Sequence, residues 1–514
     1  MAILSNLLIP LIILILTTIT IAYLYMTRKF KHWTKKGIME IKPSAFVGNF
    51  GKCLLMKISP GLYFKKIYNI AKGQPYVGIY LLDRPTLLLR DPEIIKRILI
   101  KDFNSFGDRY SRASVNDKIG NSNLFMIKNP AWKQVRSKLT PIFTSGRLKK
   151  MFLLMEEVGK DLDMHLESQL SKNNFCSLEM KEVCAKFTTD MIGTTAYGLK
   201  VNSLNNPDAE FRKCGREIFT FNIKRSIEFT TIFFIPDFVD ILGFQLFSKK
   251  STKFLRNVFW DTINERIKSG TKRNDLIDLL IELKQSQEND SSQNNNNNFK
   301  FHGDNLVSQA AVFFTGGFET SSTTMSFAFY ELAVNIDVQN KLRFEIEEAL
   351  QANDGKITYD MVMTLPYLDM VLSETLRLYP ILPYLDRVAL NDYKIPETNL
   401  QIEKGTVIIV PMVGLHRDEK YFSNPNIYDP ERFSEENKKS LTPCVYMPFG
   451  EGPHICIGQR LGLLQSKLGI IHIISKYEIS IDTEKTSVPI KLDPKAVLTA
   501  SIGGIYLNLK KITT

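Results

Sequence analysis

Cysteine is scarce in this chain: Cys53, Cys176, Cys184, Cys214, Cys444 and Cys456 are the six among 514 residues. So few in so long a chain make no disulfide framework, and they fit a reducing compartment. No Cys-x-x-Cys pair occurs. Cys444, His454 and Cys456 lie close together in sequence, but no second cluster completes a tetrahedral zinc site. Acidic side chains are outnumbered, 54 Asp and Glu against 66 Lys and Arg, for a net charge of +12. That balance suits nucleic acid, an anionic membrane or an acidic protein partner. The chain has no recognisable nucleic-acid motif and no arginine-rich run with interleaved aromatics, which leaves the membrane and the acidic partner. Length alone allows two to four domains, yet no internal repeat and no second domain boundary are visible.

One apolar run stands out among what is present. Residues 7–25 form a stretch of 19 without a charge. At ~1.5 Å per residue it spans roughly 28 Å, one hydrocarbon core. A cleaved signal peptide has an apolar region of about 7–15 residues that follows basic residues and ends in small ones. Here no basic side chain precedes the run. It ends in aromatics followed by Arg28, Lys29, Lys31, Lys35 and Lys36. The pattern is that of a signal anchor over residues 1–27, with the bulk of the chain left in the cytosol by the positive-inside rule. Residues 28–50 read as a basic linker with Pro43 as its one proline, and residues 51–514 as a single body.

Within that body, residues 76–90 read as two strands around a turn, and Asp91-Pro92-Glu93 opens a helix with Asp as its cap. The middle third is helical by period. Residues 285–298 are polar, end in five asparagines and read as a disordered surface loop. Helices follow over about 304–335 and 338–352, and short strands at 406–410 and 505–509.

The most informative stretch is Phe449-Gly450-Glu451-Gly452-Pro453-His454-Ile455-Cys456-Ile457-Gly458. A thiolate needs stabilisation before it can act as nucleophile or metal ligand. Gly450, Gly452 and Gly458 let the backbone take unusual conformations and come close to a bound group. The loop reads as one that presents a thiolate to something flat and near; a buried structural thiol is the plain alternative. Four other segments accompany it: Trp132 with Arg136 as Trp-x-x-x-Arg, Gly317-Phe318-Glu319-Thr320, Glu374-Thr375-Leu376-Arg377, and Pro430-Glu431-Arg432-Phe433. Each is weak alone. Glu319 and Thr320, for instance, run on into Ser321, Ser322, Thr323 and Thr324, which by itself reads as a polar helix face.

Together, in this order and at about these separations, the five segments resemble the cytochrome P450 family from about residue 30 to the end. The resemblance implies a mainly α fold with small β-sheets, carrying a single N-terminal transmembrane helix. It implies haem b, with the Cys456 thiolate as axial ligand of the iron. Phe449 is then a neighbour of the sulfur, and Trp132, Arg136, Arg387 and His454 are partners of the haem propionates. His454 is the main departure, because the family usually carries arginine two residues before the cysteine. Histidine is cationic at pH 7 only with a raised pKa, which a propionate neighbour would provide; a pH-sensitive propionate ligand is the expectation. Glu319 and Thr320 correspond to an acid–alcohol pair that delivers protons during oxygen activation. Gly316 and Gly317, each costing about 1 kcal/mol against alanine mid-helix, are expected to let that helix pass close to the haem and open locally. Glu374, Arg377 and Arg432 correspond to a buried triad that holds the cysteine loop, a structural role.

The implied activity is monooxygenation, with one atom of O₂ inserted into a small lipophilic substrate. Electrons come from NADPH through NADPH–cytochrome P450 reductase, with cytochrome b5 as a second candidate donor, at the cytosolic face of the endoplasmic reticulum membrane. Lys133, Lys138, Lys149 and Lys150 read either as the surface that meets this donor or as solvated charge. Lys101-Asp102-Phe103, Asp108-Arg109 and the Leu139–Gly146 segment look like the insect microsomal group linked with foreign compounds such as plant toxins and insecticides. Endogenous lipids or hormones are the other substrate class. Substrate contacts are expected from residues 111–127, 219–234, 313–320, 381–385 and 498–502, which are rich in Phe, Ile and Leu. Two other readings stay open. A peroxide-rearranging member of the fold needs no reductase but tends to alter the acid–alcohol pair, which is intact here. A non-catalytic haem-thiolate sensor or carrier has no use for Thr320.

Overall fold

Apolar length decides the first element. In the computed structural model, Ala2–Thr27 is one 26-residue helix. Its Leu8–Thr27 stretch has a mean hydropathy of 2.3 with none of it buried inside the protein, long and apolar enough to cross a membrane. The structure describes residues 2–512 apart from 172–173, 290–298, 397 and 399; for residues 2–7 and 289 only the backbone is described.

Residues 28–50, read as a basic linker, pack against the body. Trp33 is wholly buried and seats its ring over Gly78, where an added Cβ would lie 2.2 Å from it. The Trp33 indole donates to the Ile79 carbonyl at 3.2 Å, and the Tyr80 N–H donates to the Asn49 side chain at 2.8 Å. Phe50 joins the same core. Arg28 reaches Asp83 at 3.2 Å, so the end of the membrane helix is tied to the first sheet as well.

That sheet has four strands in the order β1 (Tyr76–Leu81), β2 (Arg84–Leu89), β7 (Val407–Val410), β4 (Leu385–Val388). Only the β2–β7 pair is parallel. A second sheet orders β3 (Phe175–Glu179), β9 (Tyr506–Lys511) and β8 (Tyr477–Ile481), and β5 (Tyr393–Lys394) pairs with β6 (Gln401–Ile402). The expected turn and cap are present. Asp91 accepts from the N–H groups of Glu93 and Ile94, and Pro92 stands at the first helical position.

The remainder is mostly helix around apolar cores. A 31-residue helix, Asp304–Val334, runs through the middle. Its first half, Leu306 to Phe318, belongs to one core, and its second, Met325 to Leu332, to another. The segment between them carries Glu319 and Thr320. The helix before the polar tract, Leu276–Asn289, includes the first five residues of the expected loop, a correction to that reading. The asparagine run itself lies outside the described residues.

Candidate functional site

The cysteine loop closes on itself through backbone bonds. Cys456 N–H donates to the Phe449 carbonyl at 2.8 Å, and Ile455 N–H to that of Gly452 at 2.9 Å. Gly450 and Gly452 sit at φ 75° and 70°. At Gly452 a Cβ would also stand 2.1 Å from the Leu99 carbonyl oxygen. Gly458, by contrast, has an ordinary φ of −92° at the start of the next helix, Gln459–Ile474, so its expected special conformation is not found. Cys456 alone of the six cysteines is exposed. Protein nevertheless surrounds it closely enough to shift its thiol. Burial pushes its thiol up, while the Gly458 N–H and the charges of Arg136 and Arg109 work the other way.

Beside the loop stand three guanidiniums: Arg109, Arg136 on the Ala131–Leu139 helix, and Arg387 on β4. Among the described residues the carboxylate near Arg109 and Arg387, Asp386, is already engaged by the N–H groups of Tyr110 (2.5 Å) and Ser111 (3.2 Å). Arg387 is 2 % exposed, and its Nε has no partner in the protein. Burial, then the Arg109 charge, push its pKa down to about 9. Burial likewise lowers Arg109 and Arg136. One buried and two half-buried cations with so little internal neutralisation fit an incoming group that bears two carboxylates, as the haem propionates do.

His454 does not behave as expected. Its Nε2–H donates to the Gly107 carbonyl at 2.7 Å, and its Nδ1 accepts from Arg109 Nη1 at 3.1 Å; the tautomer follows from these partners. Its ring lies 3.9 Å from that of Trp132 and 5.2 Å from that of Phe103. Burial and the charges of Arg109 and Arg387 push its pKa well below 6.5, the opposite of the anticipated rise. His454 thus accepts from Arg109 and orients it, and Arg109 brings the positive charge.

On an open face of the central helix, Thr320 donates to the Gly316 carbonyl at 2.6 Å. The two glycines divide. A Cβ on Gly316 would meet nothing within 4 Å, whereas one on Gly317 would strike Ile192 at 2.3 Å. Gly316 thus faces open space, and Gly317 permits tight contact with the Met180–Ile192 helix. Glu319 pairs with Lys181 of that helix at 3.0 Å. Among the described residues no hydrogen bond joins the Glu319 carboxylate directly to the Thr320 hydroxyl.

Behind the loop lies the triad. Glu374 and Arg377, with no exposed side-chain surface, form a two-pronged pair at 2.7 Å on both prongs. The other Arg377 N–H groups reach the carbonyls of His416 (2.8 Å), Pro425 (2.7 Å) and Ile427 (3.2 Å). Arg432 Nε stands 3.5 Å from Glu374 Oε1. His416 Nε2 accepts from the Met447 N–H at 3.0 Å, which carries the brace to within two residues of Phe449.

A family model for cytochrome P450 matches residues 43–507. The chain belongs to the cytochrome P450 family. It is similar to cytochrome P450 6k1 of Blattella germanica, 45 % identical over 98 % of this chain and 97 % of that one. It is also similar to probable cytochrome P450 6g2 of Drosophila melanogaster, 45 % identical over 97 % and 98 %. This P450 is accordingly a haem-thiolate monooxygenase with an apolar N-terminal helix suited to membrane anchoring, and the arginine cradle accords with that cofactor.

The five apolar stretches expected around a substrate meet in this P450. Phe125 contacts Phe233 (6.1 Å between rings), Phe219 contacts Phe318 (5.6 Å), and Phe234 contacts Tyr384 (5.1 Å). The Thr499 N–H donates to the Ile381 carbonyl at 3.0 Å. Of the basic residues, Lys133, Lys138 and Lys150 are exposed, but Lys149 is paired with Asp360 at 2.7 Å. Arg109, Lys181 and His416 were not assigned to the site from sequence. Only Arg109 carried a signal there, in the Asp108-Arg109 wording.

Proposed function

We propose that this P450 works at the endoplasmic reticulum membrane, its body in the cytosol. Residues 1–27 anchor it, and NADPH–cytochrome P450 reductase supplies electrons, with cytochrome b5 as a second donor. Its substrates are small lipophilic foreign compounds, and haem b is its cofactor. What supports the substrate class is that ring contacts Phe125–Phe233, Phe219–Phe318 and Phe234–Tyr384 bring four of the expected apolar stretches together.

Bound through Cys456, the haem supplies the redox chemistry of dioxygen. The chain does the rest. Arg109, Arg136, Arg387 and Trp132 hold the propionates, and Phe449 shields the sulfur from water. Thr320, with its hydroxyl on an open helix face, and Glu319, paired with Lys181, carry protons toward the reacting oxygen. Glu374, Arg377 and Arg432 hold the loop and take no part in chemistry. Lys133, Lys138 and Lys150 offer positive charge to an acidic face of the reductase.

The test is full-length protein reconstituted in vesicles with the reductase, screened against plant toxins, insecticides and endogenous lipids. NADPH- and O₂-dependent products from the foreign compounds are expected. Turnover with peroxides but none with NADPH and reductase would favour the rearranging chemistry. A reduced, CO-bound thiolate spectrum without oxidation by any donor would favour a sensor.

A further inference from the structure

An α-helical carbonyl accepts from the N–H four residues on. In the central helix, five consecutive carbonyls also accept from a side chain. Gly316 receives Thr320 Oγ1 at 2.6 Å, Gly317 receives Gln465 Nε2 at 2.7 Å, and Phe318 receives Thr188 Oγ1 at 2.9 Å. Glu319 receives Thr323 Oγ1 at 2.8 Å and Lys181 Nζ at 3.4 Å, and Thr320 receives Thr324 Oγ1 at 2.9 Å. Second donors of this kind draw carbonyls off the helix axis and favour a bend. The segment lies between the two cores that grip the helix on either side.

Three of these donors come from other helices. Thr188 and Lys181 belong to Met180–Ile192. Gln465 belongs to Gln459–Ile474, the helix that starts three residues after Cys456. Gln465 is wholly buried, and its amide also bonds the Ser321 hydroxyl. The opposite amide orientation would set its oxygen against the Gly317 carbonyl oxygen, so the donor is the nitrogen. A wholly buried amide spent on a carbonyl already inside a helix adds little to the fold that an apolar side chain of the same size would not.

We propose that Gln465 is a positioning residue. Through the Gly317 carbonyl it holds the helix turn beside Thr320 and links that turn to the cysteine side of the molecule. The Thr320 hydroxyl and the Cys456 loop then keep one relative position. This rests on the proposed proton-carrying role of Glu319 and Thr320.

The test uses the full-length, haem-loaded protein with reductase. Gln465→Met keeps length and bulk and removes the donor. Amide exchange within 317–323 is expected to speed about tenfold, the loss of one buried hydrogen bond. The share of NADPH electrons leaving as hydrogen peroxide is expected to rise roughly threefold, while the spectral substrate dissociation constant stays within about twofold. Unchanged exchange in that segment overturns the proposal. So does faster exchange with an unchanged peroxide share, which would make Gln465 merely structural. Thr320→Ala separates the two ideas: if it leaves the peroxide share unchanged, the reading of Thr320 fails, and the exchange result still decides Gln465. Should Gln465→Met lose haem, Thr188→Val removes the neighbouring donor without changing shape and takes the same two measurements.

Discussion

Two groups of buried arginines lie on either side of the cysteine loop, and they are built on opposite plans. Behind the loop, Arg377 spends its N–H groups on Glu374 and three carbonyls. Beside it, Arg387 is as deeply buried, yet its Nε is unpartnered and its pKa falls to about 9. The first group is neutralised by the chain and serves the fold. The second is left positive and serves something that arrives from outside. A buried charge is costly unless paired, so the place where a chain tolerates an unpaired one marks where a ligand completes it.

Breaking the paired group should have the largest effect. Glu374→Ala leaves Arg377 buried without a counter-charge. It is expected to cost about 3–5 kcal/mol, read in urea unfolding as protein that never holds a thiolate-type CO spectrum. Next comes His416, whose carbonyl and ring both belong to this group. Burial and the Arg377 charge lower its pKa from 6.5 to about 3. Between those values the unfolded chain binds more protons than the folded one. Stability is therefore full above pH 6.5 and falls as pH drops toward 3, by roughly 2 kcal/mol at pH 5. Thermal unfolding at pH 7 and pH 5 checks this, and His416→Gln, which can still accept from Met447, should flatten the difference.

The unpaired group should respond with the other sign. Arg387→Met removes a cation that repels Arg109, so the haem-free protein is expected to unfold no more easily than the parent. Haem transfer to apomyoglobin should meanwhile quicken about tenfold, one lost charge-assisted contact. If haem-free stability dropped as it does for Glu374→Ala, the contrast between the groups would collapse. The smallest effect belongs to the surface. Lys133→Glu is expected to raise the reductase KM a few-fold at low salt, and Lys149→Glu by less, because Asp360 already holds Lys149.

Much of the fold was legible because its signals are local. The β1–β2 hairpin, the Asp91 cap and the central helix each follow from a dozen or so neighbouring residues. The triad was legible through its motif wording. Partners chosen by distant parts of the chain were not. His454 and Arg109 are 345 residues apart, and neither the burial of that histidine nor its guanidinium neighbour can be read from the residues around it. His416 lies in no motif, and its role comes from where Arg377 and Met447 point. Gly316 and Gly317 are neighbours of one type; only Ile192 tells them apart.

The seat of Trp33 over Gly78, with Arg28 held by Asp83, has a mechanical consequence. The membrane helix is mounted on the body by a stiff bracket rather than hung from a cord. Within six residues of Thr27, at the end of the apolar helix, the chain is fixed to the first sheet. The side it shows to the lipid is set by the angle at which that indole enters its notch.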